Sequence, residues 1–416
     1  MSVPSVSACM QPESDMTAIP KVAFVLFQNA RAGTGTEVAV LNYIRFSPLE
    51  LRESIYLIQG DSFDAARAEV GDLEQLLPAG HVITVPGTPK SSRYQFVSSV
   101  PALSLLFYGL LHPIWIFIGG IGKRYRRAVR SISPNIVYLV GNDISRYCKF
   151  PLTRVIGSCH GWNPRSAKGI SGKIQLGLLR AGLLYRSVDS FHTFPGSDIP
   201  KNLPPHKSWF CASNGVDPAI FHPPQSTVRG MNEGDGLRFL FVGRLEACKG
   251  VLTAVKAWQR LKRQGCDSTL EIVGGGPLSR WLKHRKIQGL TFSGLLSLPE
   301  LAERYRYADI FLYPSTCDVF PFVILEALSS GLHVLASDYL RGTFDRFESE
   351  GYLEYCSPTV DALQERMKEI SQRSAHYSAS RLKCAELAHT VFGARETTNQ
   401  FFRGLGYEFP STTPAL

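Results

Sequence analysis

Short runs of consecutive apolar residues alternate along most of the chain with stretches long enough to form helices. Residues 22–27 (VAFVLF) are unbroken, which predicts a strand buried on both faces of a parallel sheet. Residues 55–58, Val82–Val85, Ile136–Val140, Arg154–Ser158 and 190–194 predict further strands, with crossover helices between them. At 223–236 the texture changes. PPQSTVRGMNEGDG holds only two large apolar residues, Val228 and Met231, and has the composition of a hinge. A second α/β series follows, starting with a strand at 238–242. Across 249–263, Val251, Leu252, Val255, Trp258 and Leu261 recur at helical spacing. Then come a strand at 269–273, a turn at 274–277, a helix at 281–285 and a short strand at Thr291 and Phe292. Leu301, Tyr305 and Ala308 space out another helix, Ile310–Tyr313 and 333–336 predict strands, and 323–329 predicts the helix between them. The expected fold class is α/β, with two doubly wound, Rossmann-like domains facing a cleft. The segments are a flexible tail (1–20), an N-terminal domain (21–212), a hinge (213–236), a C-terminal domain (237–395), and a crossover helix with tail (396–416).

Composition narrows the class. With 416 residues, 44% hydrophobic and 19% charged, the chain can bury a large core and is neither disordered nor collagen-like. Lys and Arg number 45 against 35 Asp and Glu, a formal charge of +10. That excess suits phosphate-bearing small molecules, anionic membrane surfaces or nucleic acid without choosing among them. Nine cysteines lie far apart with no C-x-x-C pair, the usage of a reducing compartment. Residues 1–20 lack a basic stretch followed by an apolar core, so no secretory signal is read there. From 94 to 122 there is no formal charge, and Lys123, Arg124, Arg126, Arg127 and Arg130 follow at once. The length approaches that of a bilayer span. Pro101, His112, Pro113 and several glycines interrupt it, leaving buried core helices and a monotopic membrane contact as further readings.

In open α/β sheets ligands bind beyond the carboxyl ends of the strands, so the loops there hold the candidate chemistry. A first loop carries Gly33 and Gly35 and runs into a helix. Its amides would face a phosphate or sugar, or its glycines serve only a turn. A second, Gly243 to Gly250, offers Arg244 and Lys249 as a diphosphate clamp, or as an ordinary solvated pair. A third holds two carboxylates, Asp318 at a strand end and Glu326 inside the next helix. They would accept from sugar hydroxyls, or serve only the helix that follows. A fourth carries His160, before Gly161 and Trp162, as a cleft donor or a plain loop histidine. H-E-x-x-H, C-x-x-C, G-x-S-x-G and the Walker loop are all missing from the sequence.

Taken in order, these blocks resemble the retaining glycosyltransferases of the GT-B fold, in the large family four. The resemblance runs from about Val22 to about Arg403. Its most specific parts are FVGRLEACKG, EIVGGGP, FSGLLS, ADIFLYPS and DVFPFVILEALSSGLHVLAS. It implies an acceptor-binding first domain and a nucleotide-sugar-binding second domain. Arg244 and Lys249 would hold the donor's diphosphate and stabilise it as it leaves. Glu326 would bind the ribose hydroxyls, Asp318 the donor sugar's hydroxyls, and His160 the sugar near its anomeric centre. Gly33 and Gly35 would close over the sugar-phosphate, and Gly243 would stand in the diphosphate loop. Phe320, Phe322 and Val323 would line sugar and phosphate, and Gly294 and Leu295 would meet the base. The implied reaction moves a hexose with retention and without a metal or other cofactor. Its donor is a UDP-sugar or GDP-mannose, and its acceptor is lipid-linked or a polysaccharide in surface glycan synthesis. Two departures stand out: Asp318 replaces the usual Glu, and Pro321 replaces the usual Gly and has no amide to donate. The rival reading is a catalytically degenerate nucleotide-sugar-binding or scaffold protein of the same fold. Nucleic acid is not an expected partner, because no basic stripe with interleaved aromatics is present. The expected location is cytoplasmic, with peripheral contact on an anionic inner membrane face.

Overall fold

A computed structural model describes residues 19–26, 35–61, 73–87, 120–140, 150, 153–159, 177, 180–181, 186–224, 236–285 and 287–408. They form two parallel sheets. The first contains β1 (Val22–Leu26), β2 (Ile55–Gly60), β3 (Val82–Val85), β4 (Ile136–Val140), β5 (Arg154–Ser158), β6 (Ser190–Thr193) and β7 (Ser208–Cys211), in the order β3-β2-β1-β4-β5-β6-β7. The second contains β8 (Leu237–Val242), β9 (Ser268–Val273), β10 (Leu290–Gly294), β11 (Ile310–Tyr313), β12 (His333–Ser337) and β13 (Leu353–Cys356), in the order β10-β9-β8-β11-β12-β13. Both orders reverse direction beside their first strand, between β1 and β4 and between β8 and β11. Those are the switch points at which such sheets open a crevice. The apolar runs account for the centres of the sheets: every residue of β1, β4, β11 and β12 is buried.

The helices follow from apolar spacing and end signals. Those of eight residues or more among the described residues are α1 (Gly35–Arg45), α2 (Ile121–Ile132), α3 (Val251–Arg263), α4 (Leu298–Tyr307), α5 (Phe322–Ser329), α6 (Val360–Ser371), α7 (Ser374–Phe392) and α8 (Ala394–Leu405). In α3, Val251, Ala254, Val255, Trp258 and Leu261 form one buried stripe. A capping box starts α4: the Ser297 amide donates to Glu300 Oε2 at 2.8 Å. The helix expected over 249–263 starts two residues late. Gly250 is left-handed (φ 76°) and separates a 3₁₀ turn, Ala247–Lys249, from α3. The short helix expected at 281–285 lies instead at Ser279–Lys283, and the crossover helix begins at Ala394.

One continuous core joins the two domains. It includes Phe24, Tyr43 and Tyr138 from the first, Phe311, Leu325 and Leu328 from the second, and Phe401 and Phe402 of α8. The Phe401 ring lies 3.8 Å from that of Tyr43 at an interplanar angle of 5°, and edge-on to Tyr138 at 5.0 Å. The described part of the hinge is anchored rather than free. Val216 donates to Phe392 and accepts from Ala394, at 2.8 and 3.0 Å, at the break between α7 and α8. A Cβ on Gly215 would come 2.1 Å from Thr397 Oγ1, which requires glycine at that approach.

On α2, Ile121, Tyr125, Val129 and Ile132 are buried, and the Tyr125 hydroxyl donates to the Leu26 carbonyl at 2.9 Å. Lys123, Arg124, Arg127 and Arg130 face solvent, with Arg126 partly covered. Among the described residues no helix is long and apolar enough to cross a membrane. The uncharged run lies outside the described residues up to 119, as do the tail to 18 and 225–235 of the hinge.

Candidate active site

At the second switch point the loops after β8 and β11 are pressed together. A Cβ on Gly250 would meet the Pro314 carbonyl oxygen at 2.2 Å, and Gly250 is left-handed, so only glycine fits. The Thr316 amide donates to the Cys248 carbonyl at 2.9 Å, lacing the two loops.

This approach brings Lys249 onto Asp318. Lys249 is 9% exposed; its ammonium pairs with Asp318 Oδ1, while Oδ2 accepts from the hydroxyls of Tyr313 (2.6 Å) and Ser315 (2.5 Å). Burial alone would raise the Asp318 pKa, but the Lys249 charge and the three donors outweigh it, and the carboxyl titrates below its ordinary value. Burial likewise works against the Lys249 charge, and Asp318 overcomes it to raise the ammonium's pKa. Both groups are therefore charged at neutral pH. An ammonium has three N–H donors, so Asp318 does not exhaust it.

The other expected residues have partners of their own. Arg244 is half-exposed, with Nη1 3.2 Å from Glu246 Oε1. An exposed pair of that kind contributes about 0–1 kcal/mol, so the guanidinium is cheaply moved to another anion. Pro321 takes the N-cap position of α5 (φ −76°, ψ 124°), and the helix starts at Phe322. The absent amide is thus replaced by a helix N-terminus, whose first N–H groups have no intrahelical partner. Gly35, at the start of α1, faces it: a Cβ there would lie 3.5 Å from Phe322 Cδ2. The first described residue of α1 thus meets the first residue of α5 across the two domains.

Phe320 is fixed by packing. Its ring stacks 5.5 Å from both Phe194 and Phe344, and its carbonyl accepts from Asn214 Nδ2 at 3.5 Å. Val323 and Glu326 are half-buried and share a donor. The Tyr305 hydroxyl lies 2.8 Å from Glu326 Oε2 and 3.3 Å from the Val323 carbonyl oxygen. Gly243 and Gly294 are joined through Gly274. The Gly274 amide donates to Gly294 at 2.7 Å, and a Cβ on Gly274 would strike the Gly243 oxygen at 1.9 Å. Leu295 is 45% exposed beside Gly275 on the loop after β10.

Lys249 and Asp318 are thus in direct contact, and Gly35 meets Phe322. Arg244 and Glu326 are held by Glu246 and Tyr305 respectively. His160 and Gly33 lie outside the described residues. Sequence reasoning missed Tyr305, Tyr313 and Ser315. Their signal was present in the Tyr313-Pro314-Ser315 run at the end of β11, and Tyr305 passed for an ordinary helix core residue.

The chain is similar in sequence and in fold to known proteins. A family model described as "Glycosyl transferases group 1" matches residues 236–373. The glycogen synthase of Mycobacterium tuberculosis is 38% identical over 104 residues, 24% of this chain and 25% of that protein. The alpha-galactosylglucosyldiacylglycerol synthase of Streptococcus pneumoniae is 27% identical over 242 residues, 49% of this chain and 63% of that one. This chain therefore spans a quarter of the first relative's length and less than two thirds of the second's. Anabaena Alr3699/HepE, solved with UDP and glucose, superposes with a TM-score of 0.64 at 14% identity, over 94% of this chain and 100% of that one. At that identity the likeness speaks for the fold. The chain has the GT-B fold, and its second domain matches the group 1 glycosyl transferase model over residues 236–373.

Proposed function

We propose that this protein is a retaining glycosyltransferase that moves a hexose from a nucleotide-diphosphate sugar to a glycan or lipid-linked acceptor. The observation that carries this reading is the buried Lys249–Asp318 pair at the β8/β11 switch point, with the N-terminus of α5 beside it. A diphosphate seated there meets Lys249, the nearby Arg244 and the first amides of α5. Charge on the departing phosphate grows in the transition state, so these groups stabilise that state more than the bound donor. Asp318 holds Lys249 in place and stands where the donor sugar's hydroxyls would lie. Glu326, oriented by Tyr305, receives the ribose. In this reading the departing phosphate takes the acceptor's proton on the face it leaves. The two cations supply the neutralisation without a metal, and the two domains close over the donor to exclude water.

UDP- and GDP-linked sugars are the proposed donor classes. The structural neighbour solved with UDP and glucose supports the first. Two features support a lipid-linked acceptor at an anionic cytoplasmic membrane face. One is the exposed basic side of α2, and the other is the diacylglycerol named in the pneumococcal relative. Thermal unfolding with UDP, GDP and ADP in large excess tests the donor site. A ligand bound only by the folded state adds about 2.7 kcal/mol at a hundredfold excess over Kd. One nucleotide class is expected to raise the midpoint, with or without a chelator. No shift with any of the three removes the transferase reading.

A further inference from the structure

The loops that carry the ion pair also carry two thiols. Cys248 precedes Lys249, Cys317 precedes Asp318, and their sulfurs lie 2.7 Å apart although 69 residues separate them. Both are unbonded and partly exposed, so a small reagent can reach them. The backbone already holds the loops in place. Besides the Thr316 amide, the Thr316 hydroxyl donates to the Cys248 carbonyl at 3.2 Å, and the Cys317 amide donates to Ser315 Oγ at 3.4 Å. A disulfide is about 2.05 Å long, so the sulfurs need only a small movement to bond.

We propose that Cys248 and Cys317 form a reversible dithiol–disulfide couple, a modification site that bridges the β8 and β11 loops beside the Lys249–Asp318 pair. Their reactivities differ in the way the chemistry requires. The Cys317 thiol donates to Cys248 and, with the Lys249 ammonium helping, brings Cys248 down to about 7 against the effect of burial. The same hydrogen bond and burial raise Cys317. Cys248 is therefore the attacking sulfur. Its thiolate attacks a low-molecular-weight disulfide RSSR, forms a mixed disulfide and expels RS⁻. That thiolate takes the Cys317 proton and leaves as RSH. The Cys317 sulfur then attacks Cys248 and expels the second RS⁻, which is protonated by solvent. Two protein thiols are oxidised, and RSSR is reduced to two RSH. Cys159, Cys356 and Cys384 are raised by burial and are poor competitors. The functional consequence rests on the transferase reading. The bond pins the two loops that carry Lys249 and Asp318 and stops them from adjusting around an incoming diphosphate.

The test equilibrates the purified full chain with oxidised glutathione and maps its peptides without reduction. The expected product is a peptide pair joining Cys248 to Cys317, lighter by two hydrogens than the separate thiol peptides and released by dithiothreitol. Cys248→Ser and Cys317→Ser should each abolish it. Alkylation of both sulfurs after equilibration would overturn the couple, as would a mixed disulfide that stays on Cys248 or a link to another cysteine. The mass result does not depend on nucleotide binding. If the reduced protein shows no nucleotide-induced thermal shift, the donor reading fails while a mapped crosslink stands. If the reduced protein shifts, the oxidised protein should lose that shift. An unchanged shift would overturn control of the site by the bond.

Discussion

Each domain buries a polar pair, and the two are of different kinds. In the first, Tyr138 of β4 and His192 of β6 lie inside the sheet, both fully buried. His192 Nε2 is 3.0 Å from the Ala212 carbonyl oxygen, which can only accept, so Nε2 carries the proton. His192 Nδ1 must then accept from the Tyr138 hydroxyl at 2.6 Å. The arrangement is neutral and satisfied, and Phe194, Phe210 and Phe401 pack around the imidazole. In the second domain the pair is ionic and sits on loops beyond the strand ends. Burying ions costs several kcal/mol apiece, and an apolar replacement of similar volume is often as stable. The neutral pair therefore specifies packing, whereas in the proposed function the charged pair is placed for what it can bind.

The sharpest way to break this contrast is Lys249→Ala. Removing one preorganised donor to developing charge lowers kcat by about 10²–10³-fold. The same change leaves Asp318 with only its hydroxyl donors, and breaking a buried ion pair costs about 3–5 kcal/mol. Turnover per folded molecule, measured well below the variant's unfolding midpoint, separates the two effects. Near-normal turnover there would mean that the diphosphate does not meet Lys249.

The ionic pair should also show itself through pH. Asp318 titrates below its ordinary value of about 3.9, so its contribution is present above that pH and lost as pH falls through the folded value. Lys249 is raised above about 10.4, so its contribution is present below that pH and lost on the alkaline side. The stability gap between wild type and Asp318→Asn is therefore expected to narrow on the acid side as Asp318 takes up a proton, and on the alkaline side as the variant's Lys249, left to burial alone, gives up its proton below the ordinary lysine value. A gap that stays constant as pH rises toward that value would show that Asp318 does not support the Lys249 charge.

The same contrast explains what could be read from the sequence. The centres of both sheets were legible because strands buried on both faces leave unbroken apolar runs, as in Val22–Leu26 and Ile136–Val140. One edge of each sheet was not. The strand Ser208–Cys211 is largely exposed, and Leu353–Cys356 is interrupted by Glu354, so neither leaves an unbroken apolar run to detect. Lys249 and Asp318 were legible one at a time, each just past a strand. Their contact, across 69 residues of sequence, was not, because it depends on Gly250 packing against Pro314. The cysteines failed for the same reason. They were judged far apart along the chain, and Cys248 and Cys317 meet only through the sheet order.

Tyr138→Phe tests the neutral pair. It removes one hydroxyl and leaves His192 Nδ1 buried without its donor, a cost of about 1–3 kcal/mol. Chemical denaturation should show that loss, with kcat and KM unchanged for the folded fraction. A change in KM would mean that the first-domain pair communicates with the donor site.

Tyr305→Phe is the same chemical change made at the other site, and it should behave differently. Tyr305 is fully buried, its ring edge-on to Phe221 at 5.7 Å and tilted against Phe311 at the same distance, so phenylalanine preserves the packing. What is lost is the hydroxyl on Glu326, worth about 1 kcal/mol. If Glu326 receives the ribose, some of that loss appears in nucleotide binding, as up to about a fivefold rise in KM with kcat nearly unchanged. A purely structural Tyr305 would instead lower the unfolding midpoint without moving KM. One hydroxyl removed from each domain therefore separates a pair that holds the fold from a carboxylate that is held for a ligand.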